Sequence, residues 1–178
     1  MDINFYIEYM KQNHKGQKRK QGTPYDNHPL QVSYLLKDKG FPVEYQIVGL
    51  FHDLLEDTSA TYEEIEKITN TKIAEAVKLL TKEKGYNMKD YIQRIKNNDI
   101  ARMVKLADRI HNLSEAQFGS TAFQKKYIKE TEEWFLDLAK DTIFEKDLQQ
   151  TLEDVKTHLK QNKKLSNPYF PKKNANNH

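Results

Sequence analysis

"PVEYQIVGLFHDLLED", residues 42 to 57, separates into an apolar and a polar face when its residues are spaced as in an α-helix, at about 100° each. The apolar face consists of Ile47, Val48, Leu50, Phe51, Leu54 and Leu55. The polar face consists of Gly49, His52, Asp53, Glu56 and Asp57. The first face predicts packing into a core, and the second predicts a group of titratable side chains that point in one direction.

The rest of the chain continues this helical pattern, with few alternating β-branched runs and only six glycines. We therefore predict an all-α fold. Helix-end signals support it: Gly40 is a stop, Thr61 and Glu64 form a capping box, and Asn98 or Asp99 is a cap. The predicted helices cover residues 4–14, 28–40, 42–57, 62–68, 72–80, 88–98, 99–116, 121–140 and 148–161.

Length and composition indicate one domain and exclude several classes of protein. The 178 residues suit a single domain over 1–160, followed by a tail over 161–178. A net charge of +3 is too balanced for a dedicated nucleic-acid-coating protein, and the absence of cysteine excludes disulfides and thiolate zinc sites. Without a signal peptide or a run of ~18 apolar residues, the chain is expected to be cytoplasmic and free of the membrane.

Three carboxylates near the end of the 42–57 helix oppose the helix dipole, so a positive group is expected beside them. A metal cation would serve, and His52 and Asp53 offer two ligands. Two further candidates border apolar helical faces: His28, in the first turn of its helix, and Asp108. A lone aspartate among core residues is costly unless it is paired or bound to metal.

Each of these residues also has a simpler interpretation. A His-Asp dipeptide is common at solvated helix ends, His28 alone would be a helix-start residue, and Asp108 alone would pair with Lys105 or Arg109. The other histidines are interpreted as surface or packing residues: His14, His111, His158 and His178. The joint occurrence of the four candidate ligands at the edges of apolar faces favours the metal interpretation.

Three motifs strengthen that interpretation: "GTPYDNHPLQV" at 22–32, "GLFHDLLEDT" at 49–58 and "VKLADRIHNL" at 104–113. Together they resemble the HD-domain metal-dependent phosphohydrolases, and within them the hydrolase domain of the RelA/SpoT alarmone enzymes and the stand-alone small alarmone hydrolases. The resemblance implies a helical bundle of roughly eight to ten helices. No synthetase or regulatory domain is expected, so the resemblance implies only hydrolysis.

The resemblance also implies roles for individual residues. It makes His28, His52, Asp53 and Asp108 the ligands of one divalent ion, typically Mn²⁺, and assigns water activation and proton transfer to Glu56 and Asp57. Spacing alone does not decide which of these two is the base. The residues expected to contact the nucleotide are Arg19, Lys20, Tyr25, Lys105 and Asn112. A salt bridge would explain Lys105 equally well, and packing would explain Tyr25 equally well. At position 21 this chain has Gln21 where the family has a serine.

The implied reaction is removal of the 3′-pyrophosphate from (p)ppGpp, which yields GDP or GTP and pyrophosphate. Two alternatives stay open. The same site could act on another 3′-phosphorylated nucleotide, such as an adenine alarmone or a phosphorylated dinucleotide cofactor like NADPH, or the chain could be a nucleotide sensor without turnover. No nucleic-acid partner is expected, because the basic residues concentrate in one loop. The sequence does not indicate an oligomeric state.

Overall fold

The computed structural model describes residues 2–20 and 22–165 of the chain. In this part the fold is all-α, as predicted, and its only β pairing is an isolated bridge between Lys18 and Pro24. The helices are α1 (Ile3–Asn13), α2 (Asn27–Asp38), α3 (Val43–Phe51), α4 (Leu54–Asp57), α5 (Tyr62–Ile68), α6 (Thr71–Leu80), α7 (Met88–Lys96), α8 (Asp99–Ala116), α9 (Thr121–Glu130), a π-helical turn (Thr131–Phe135), α10 (Leu136–Ala139) and α11 (Glu145–Leu165).

Several helix ends carry the predicted signals. Thr61 and Glu64 form the capping box of α5, and the Asn98 side chain accepts a hydrogen bond from the backbone N–H of Ala101 at the start of α8. Gly40, which follows α2, has a φ of +80°, a conformation that glycine adopts readily. These local interactions satisfy backbone groups that a helix end leaves without partners.

Two predicted helices are interrupted. The helix expected over 42–57 breaks at His52 and Asp53, where Asp53 has φ −105° and ψ −1°. This bridge region of backbone space is common at functional sites. The helix expected over 121–140 contains the π-helical turn, which places one residue more in a turn than an α-helix does. Neither irregularity has a proline or glycine at the interrupted positions, so helical periodicity alone did not predict it.

Helix α8 lies at the centre of the molecule and contacts α2, α3, α6, α7, α9 and α11. The apolar face predicted from residues 47–55 packs into this core, where Ile47, Val48, Leu50, Phe51 and Leu54 have no exposed surface. Burial of such side chains stabilises the fold by about 1.5–3 kcal/mol each. The core thereby sets the direction in which the polar residues of α2, α4 and α8 point.

The described chain contains no helix with the length and apolar character needed to cross a membrane. Helix α11 continues to Leu165, past the start predicted for the tail at residue 161. The rest of that predicted tail, residues 166–178, lies outside the described residues, and so does Gln21.

Candidate metal centre and nucleotide cavity

His28, His52 and Asp108 converge although they come from three separate parts of the fold. His28 lies in α2, His52 follows α3, and Asp108 lies in α8. One ligand atom from each lies within 4.8 Å of the others, and all three residues are buried. The Asp108 Oδ1 atom is 3.0 Å from His28 Nε2 and 3.6 Å from His52 Nε2. Packing of α2 and α3 against α8 brings these side chains together.

Asp53 completes the group predicted from the sequence. Its Oδ2 atom lies 2.9 Å from His52 Nε2 and 3.9 Å from His28 Nε2. The hydroxyl of Tyr25 donates to the same oxygen at 2.5 Å. The interruption between α3 and α4 therefore places two consecutive side chains, His52 and Asp53, at one point. We call His28, His52, Asp53 and Asp108 the histidine–aspartate cluster.

The hydrogen bonds of His52 suit a metal ligand. Its Nδ1 atom donates to the backbone carbonyl of Gly49 at 2.8 Å, which leaves the lone pair on Nε2. That Nε2 atom is buried, and it faces the carboxylate oxygens of Asp53 at 2.9 Å and Asp108 at 3.6 Å, which are the other candidate ligands. Two imidazole nitrogens and two carboxylates form a donor set that suits a divalent ion of borderline softness. The cluster can therefore hold such an ion.

The charges of the cluster also favour a cation. Burial disfavours a charged His52, yet Asp53 and Asp108 raise its pKa to about 10. Burial likewise disfavours the carboxylate of Asp108, but Lys105 and the two histidines lower its pKa well below the ordinary value. Two carboxylates in a buried site thus attract whatever positive charge is available. A divalent cation would meet this demand in place of a proton.

Two side chains on α8 hold Asp108 in place. The Lys105 ammonium forms an ion pair with Asp108 Oδ2 at 2.8 Å, and the Asn112 amide donates to Asp108 Oδ1. Lys105 is 8% exposed, so this pair is largely shielded from water. The structure therefore contains the salt bridge that was one of the two interpretations of Lys105. Arg109 instead pairs with Glu130 and packs over Phe135 and Tyr127.

Glu56 and Asp57, at the end of α4, lie beside the cluster in different surroundings. Glu56 Oε2 accepts a hydrogen bond from the backbone N–H of Lys82 at 3.0 Å. Asp57 Oδ2 lies 3.2 Å from the Tyr25 hydroxyl. Burial and the nearby Asp53 raise the pKa of Asp57. Asp57 is therefore closer than an ordinary aspartate to the range in which a carboxylate exchanges protons near neutral pH.

A cavity of about 300 Å³ opens over the cluster. Every predicted site residue except His52 lines it, and His52 is buried beneath the floor. Arg19 donates to Asn112 Oδ1 at 2.8 Å, and the Lys20 ammonium lies 5.1 Å from the centre of the Phe123 ring. The complete lining is Lys18, Arg19, Lys20, Tyr25, His28, Asp53, Glu56, Asp57, Lys82, Lys105, Asp108, Asn112, Phe123 and Tyr127.

The family model of the HD domain matches residues 7–142, which is most of the chain. The chain belongs to the HD domain family. The family's match includes all residues of the histidine–aspartate cluster and the lining of the cavity. The predicted resemblance to HD-domain proteins is therefore confirmed at the level of the family.

Curated relatives of this HD domain include alarmone enzymes. A guanosine-3′,5′-bis(diphosphate) 3′-pyrophosphohydrolase of Aquifex aeolicus is 35% identical over 146 residues, which are 78% of this chain and 21% of the relative. A GTP pyrophosphokinase of Brucella melitensis is 34% identical over 122 residues, 62% of this chain and 16% of the relative. The HD domain described here thus spans about a fifth or less of the length of these relatives.

The fold of the HD domain is shared with solved structures. A chain described as a metazoan ortholog of SpoT that hydrolyses ppGpp matches with a TM-score of 0.75 and 24% identity, over 85% of this chain and 94% of that one. A protein of Listeria monocytogenes matches with a TM-score of 0.59 and 22% identity, over 75% of this chain and 98% of that one. These similarities concern the architecture.

The HD domain also places residues at the site that the sequence did not indicate. His111, interpreted as a surface or packing residue, has its Nδ1 atom 2.7 Å from Nδ1 of His28. Its position three residues after Asp108 was a usable signal, since it lies on the same side of α8. Lys82, from the loop between α6 and α7, and Phe123 and Tyr127, both from α9, also line the cavity, and no local pattern connects them to the motifs. His14 is buried against Tyr25, so its interpretation as a packing residue is confirmed.

Proposed function

We propose that the protein is a Mn²⁺-dependent 3′-pyrophosphohydrolase that converts ppGpp and pppGpp to GDP and GTP with release of pyrophosphate. The observation that carries the proposal is the convergence of His28, His52, Asp53 and Asp108 at the floor of a cavity with a cationic rim. Family membership and the names of the curated relatives support the choice of substrate. The cytoplasmic location and the absence of a nucleic-acid partner stay predictions.

The four cluster residues are proposed to hold one Mn²⁺ ion. The two carboxylates suit Mn²⁺, and the two imidazoles favour a transition-metal ion over Mg²⁺ or Ca²⁺. When bound, the ion supplies a Lewis acid next to the phosphoryl oxygens and lowers the pKa of water in the site. Lys105 and Asn112 keep Asp108 oriented for this role through their contacts with its two oxygens.

Asp57 is proposed to accept the proton of the attacking water, because its raised pKa gives it greater basicity than an ordinary aspartate. The water oxygen forms a bond to the phosphorus attached to the 3′ oxygen, and the bond between that phosphorus and the 3′ oxygen breaks. The nucleoside recovers a 3′ hydroxyl by taking a proton, and pyrophosphate leaves. Glu56, held by the Lys82 backbone N–H, is proposed to orient the water.

The nucleotide is proposed to lie with its 5′ phosphates against Lys18, Arg19 and Lys20. These three cations come from the loop between α1 and α2 and line one side of the cavity. An adjoining cavity, lined by Lys20, Phe118, Gly119, Ser120 and Phe123, offers aromatic surface to a base. Tyr25, which donates to Asp53, is proposed to act beside the reacting phosphate and not on the base.

A product assay tests the proposed function. The purified full chain, supplied with Mn²⁺, should release pyrophosphate from ppGpp, and His52→Ala or Asp53→Ala should lower kcat/KM roughly 1,000-fold. This loss is expected because a metal ion contributes several kcal/mol to the transition state and about 1.4 kcal/mol corresponds to a factor of ten. The control is His158→Ala, which replaces a partly buried histidine of α11 that does not line the cavity.

A nucleotide panel separates this proposal from its alternatives. Cleavage of an adenine alarmone or of NADPH, with ppGpp left intact, would contradict the guanine assignment and retain the hydrolase assignment. Tight binding of ppGpp by Mn²⁺-loaded protein without any turnover would favour a sensor.

A further inference from the structure

Lys82 lies at the rim of the cavity and is tied to Glu56. It belongs to the loop between α6 and α7, and its backbone N–H donates to Glu56 Oε2 at 3.0 Å. Its ammonium lies 5.5 Å from the centre of the Tyr86 ring and 5.6 Å from that of Tyr91. The side chain is therefore held across two aromatic rings and reaches the cavity.

Lys82 forms no ion pair within the part of the chain that the structure describes. Lys105, the other lysine beside Tyr91, pairs with Asp108 at 2.8 Å. Lys82 has no carboxylate at salt-bridge distance among residues 2–20 and 22–165. Burial and the neighbouring Lys105 lower the pKa of Lys82, as expected for a cation in need of a counter-ion. An anion that entered the cavity would meet this need.

Helix α8 passes beside the cluster, with the Arg19 side of the cavity at one end of the cluster and the Lys82 side at the other. Lys105 and Asn112 flank Asp108 in α8, and seven residues of helix separate them by about 10 Å. Arg19 contacts Asn112 at one end, and Lys82 shares the Tyr91 ring with Lys105 at the other. The aromatic cavity of Phe118 and Phe123 adjoins the Arg19 side through Lys20. The Lys82 side is thus opposite the side that suits a nucleoside.

We propose that Lys82 binds the outer phosphate of the group that is removed, and that it gives the site its preference for a 3′-diphosphate over a 3′-monophosphate. The inference rests on the proposed function for the orientation of the nucleotide. The phosphorus that is attacked must lie at the cluster, so the phosphate attached to it on the side away from the nucleoside extends towards Lys82. A 3′-monophosphate has no group at this place.

Lys82→Met tests the proposal, because methionine keeps an unbranched side chain over the tyrosines, removes the charge and leaves the backbone N–H to Glu56 intact. Lys84→Met is the matched control: Lys84 is an exposed lysine of the same loop that does not line the cavity. The substrates are ppGpp and guanosine 5′-diphosphate 3′-monophosphate, both with Mn²⁺-loaded full chain. The affinity of each variant for inorganic pyrophosphate and for inorganic phosphate is measured by calorimetry.

Lys82→Met should lower kcat/KM for ppGpp roughly 10- to 100-fold, mainly through KM, since one hydrogen bond to a charged group is lost. Its dissociation constant for pyrophosphate should rise by a similar factor. In contrast, kcat/KM for the 3′-monophosphate nucleotide and the dissociation constant for phosphate should change less than about threefold. Lys82→Arg should recover most of the affinity, and Lys84→Met should match the wild type.

The assignment of Lys82 would be overturned if Lys82→Met lowered kcat/KM equally for both nucleotides, or if its affinity for pyrophosphate were unchanged. If the wild type hydrolyses neither nucleotide, the proposed function fails, and the pyrophosphate titration still decides the role of Lys82. Unfolding temperatures and metal content of all variants are measured in parallel. If Lys82→Met does not fold, Lys82→Gln replaces it in the same comparison.

Discussion

His111 lies next to the candidate metal ligand His28, and the short contact between their Nδ1 atoms requires one ring to donate and the other to accept. For Nε2 of His28 to face a metal ion, the proton of His28 must be on Nδ1. His111 then accepts it, and burial together with His28 lowers the pKa of His111 to about 4, which keeps its ring neutral at pH 7. His111 therefore acts as a positioning residue for His28.

The contact between His111 and His28 can be tested by its effect on metal binding. His111→Ala should weaken Mn²⁺ binding roughly 10- to 100-fold, the usual effect of removing a partner of a ligating histidine. His111→Asn, whose side-chain oxygen can accept the same hydrogen bond, should retain most of the affinity. Calorimetric Mn²⁺ titration of the full chain measures both, with His158→Ala as control. An alanine variant that binds Mn²⁺ as tightly as the wild type would contradict the assigned role.

At the scale of helices, Gly49 allows α2 and α3 to pack closely enough for the cluster to form. A Cβ atom at this position would lie 2.9 Å from Leu36 Cδ1 and 3.3 Å from the Cα atom of Ser33. The backbone contact with Ser33 leaves little room for adjustment. Since α2 carries His28 and α3 leads into His52, separation of the two helices would also separate these two ligands.

Gly49→Ala should therefore destabilise the protein by about 1–3 kcal/mol, the usual cost of overpacking a core. Helix propensity alone predicts the opposite sign, a gain of about 1 kcal/mol, so the direction of the change identifies the cause. The free energy of unfolding is measured by denaturant titration, and Mn²⁺ affinity should fall with it. In a Leu36→Val background, which lacks the contacting Cδ1 atom, the cost should be smaller. A stabilised Gly49→Ala variant would rule out the close helix contact.

At the scale of the whole molecule, a metal ion in the cluster would connect α2, the α3–α4 turn and α8. Such an ion binds the folded chain and not the unfolded one, so it adds about 2.7 kcal/mol at a concentration 100-fold above its Kd. For a domain of this size that corresponds to a rise in Tm of roughly 5–10 °C. Differential scanning calorimetry with Mn²⁺ and with chelator measures the difference.

The matched comparison for this prediction uses Asp108→Asn and the exposed control Lys84→Met. Asp108→Asn should show little metal-dependent change in Tm, because it removes a carboxylate from the cluster. Lys84→Met should show the same change as the wild type. A metal-dependent rise that persists in Asp108→Asn would place the stabilising ion elsewhere on the protein.

Helical periodicity was sufficient to predict the all-α class, and polar residues at the edges of apolar faces were sufficient to propose the four cluster residues. The nucleotide contacts Arg19, Lys20 and Asn112 came from the resemblance to the family, and Lys82, Phe123 and Tyr127 were not predicted. His52 and Asp53 could be identified because they share one face with Glu56 and Asp57, opposite the buried Phe51. The break between α3 and α4 was not predicted, because it depends on contacts of the cluster and not on a local signal such as proline. The π-helical turn likewise has no proline or glycine to mark it, since residues 121–140 contain neither.

The sequence by itself determined the order of helices, the buried faces and the residue types that meet at the cluster, because these follow from local periodicity and chemistry. Only the tertiary structure decided that Lys105 pairs with Asp108, that Lys82 has no ion-pair partner among the described residues, and that His111 contacts His28. These relations either join residues distant in the chain or decide which of two nearby cations, Lys105 or Arg109, pairs with Asp108. They depend on how α2, the α6–α7 loop and α8 pack around one cavity, which no single segment specifies.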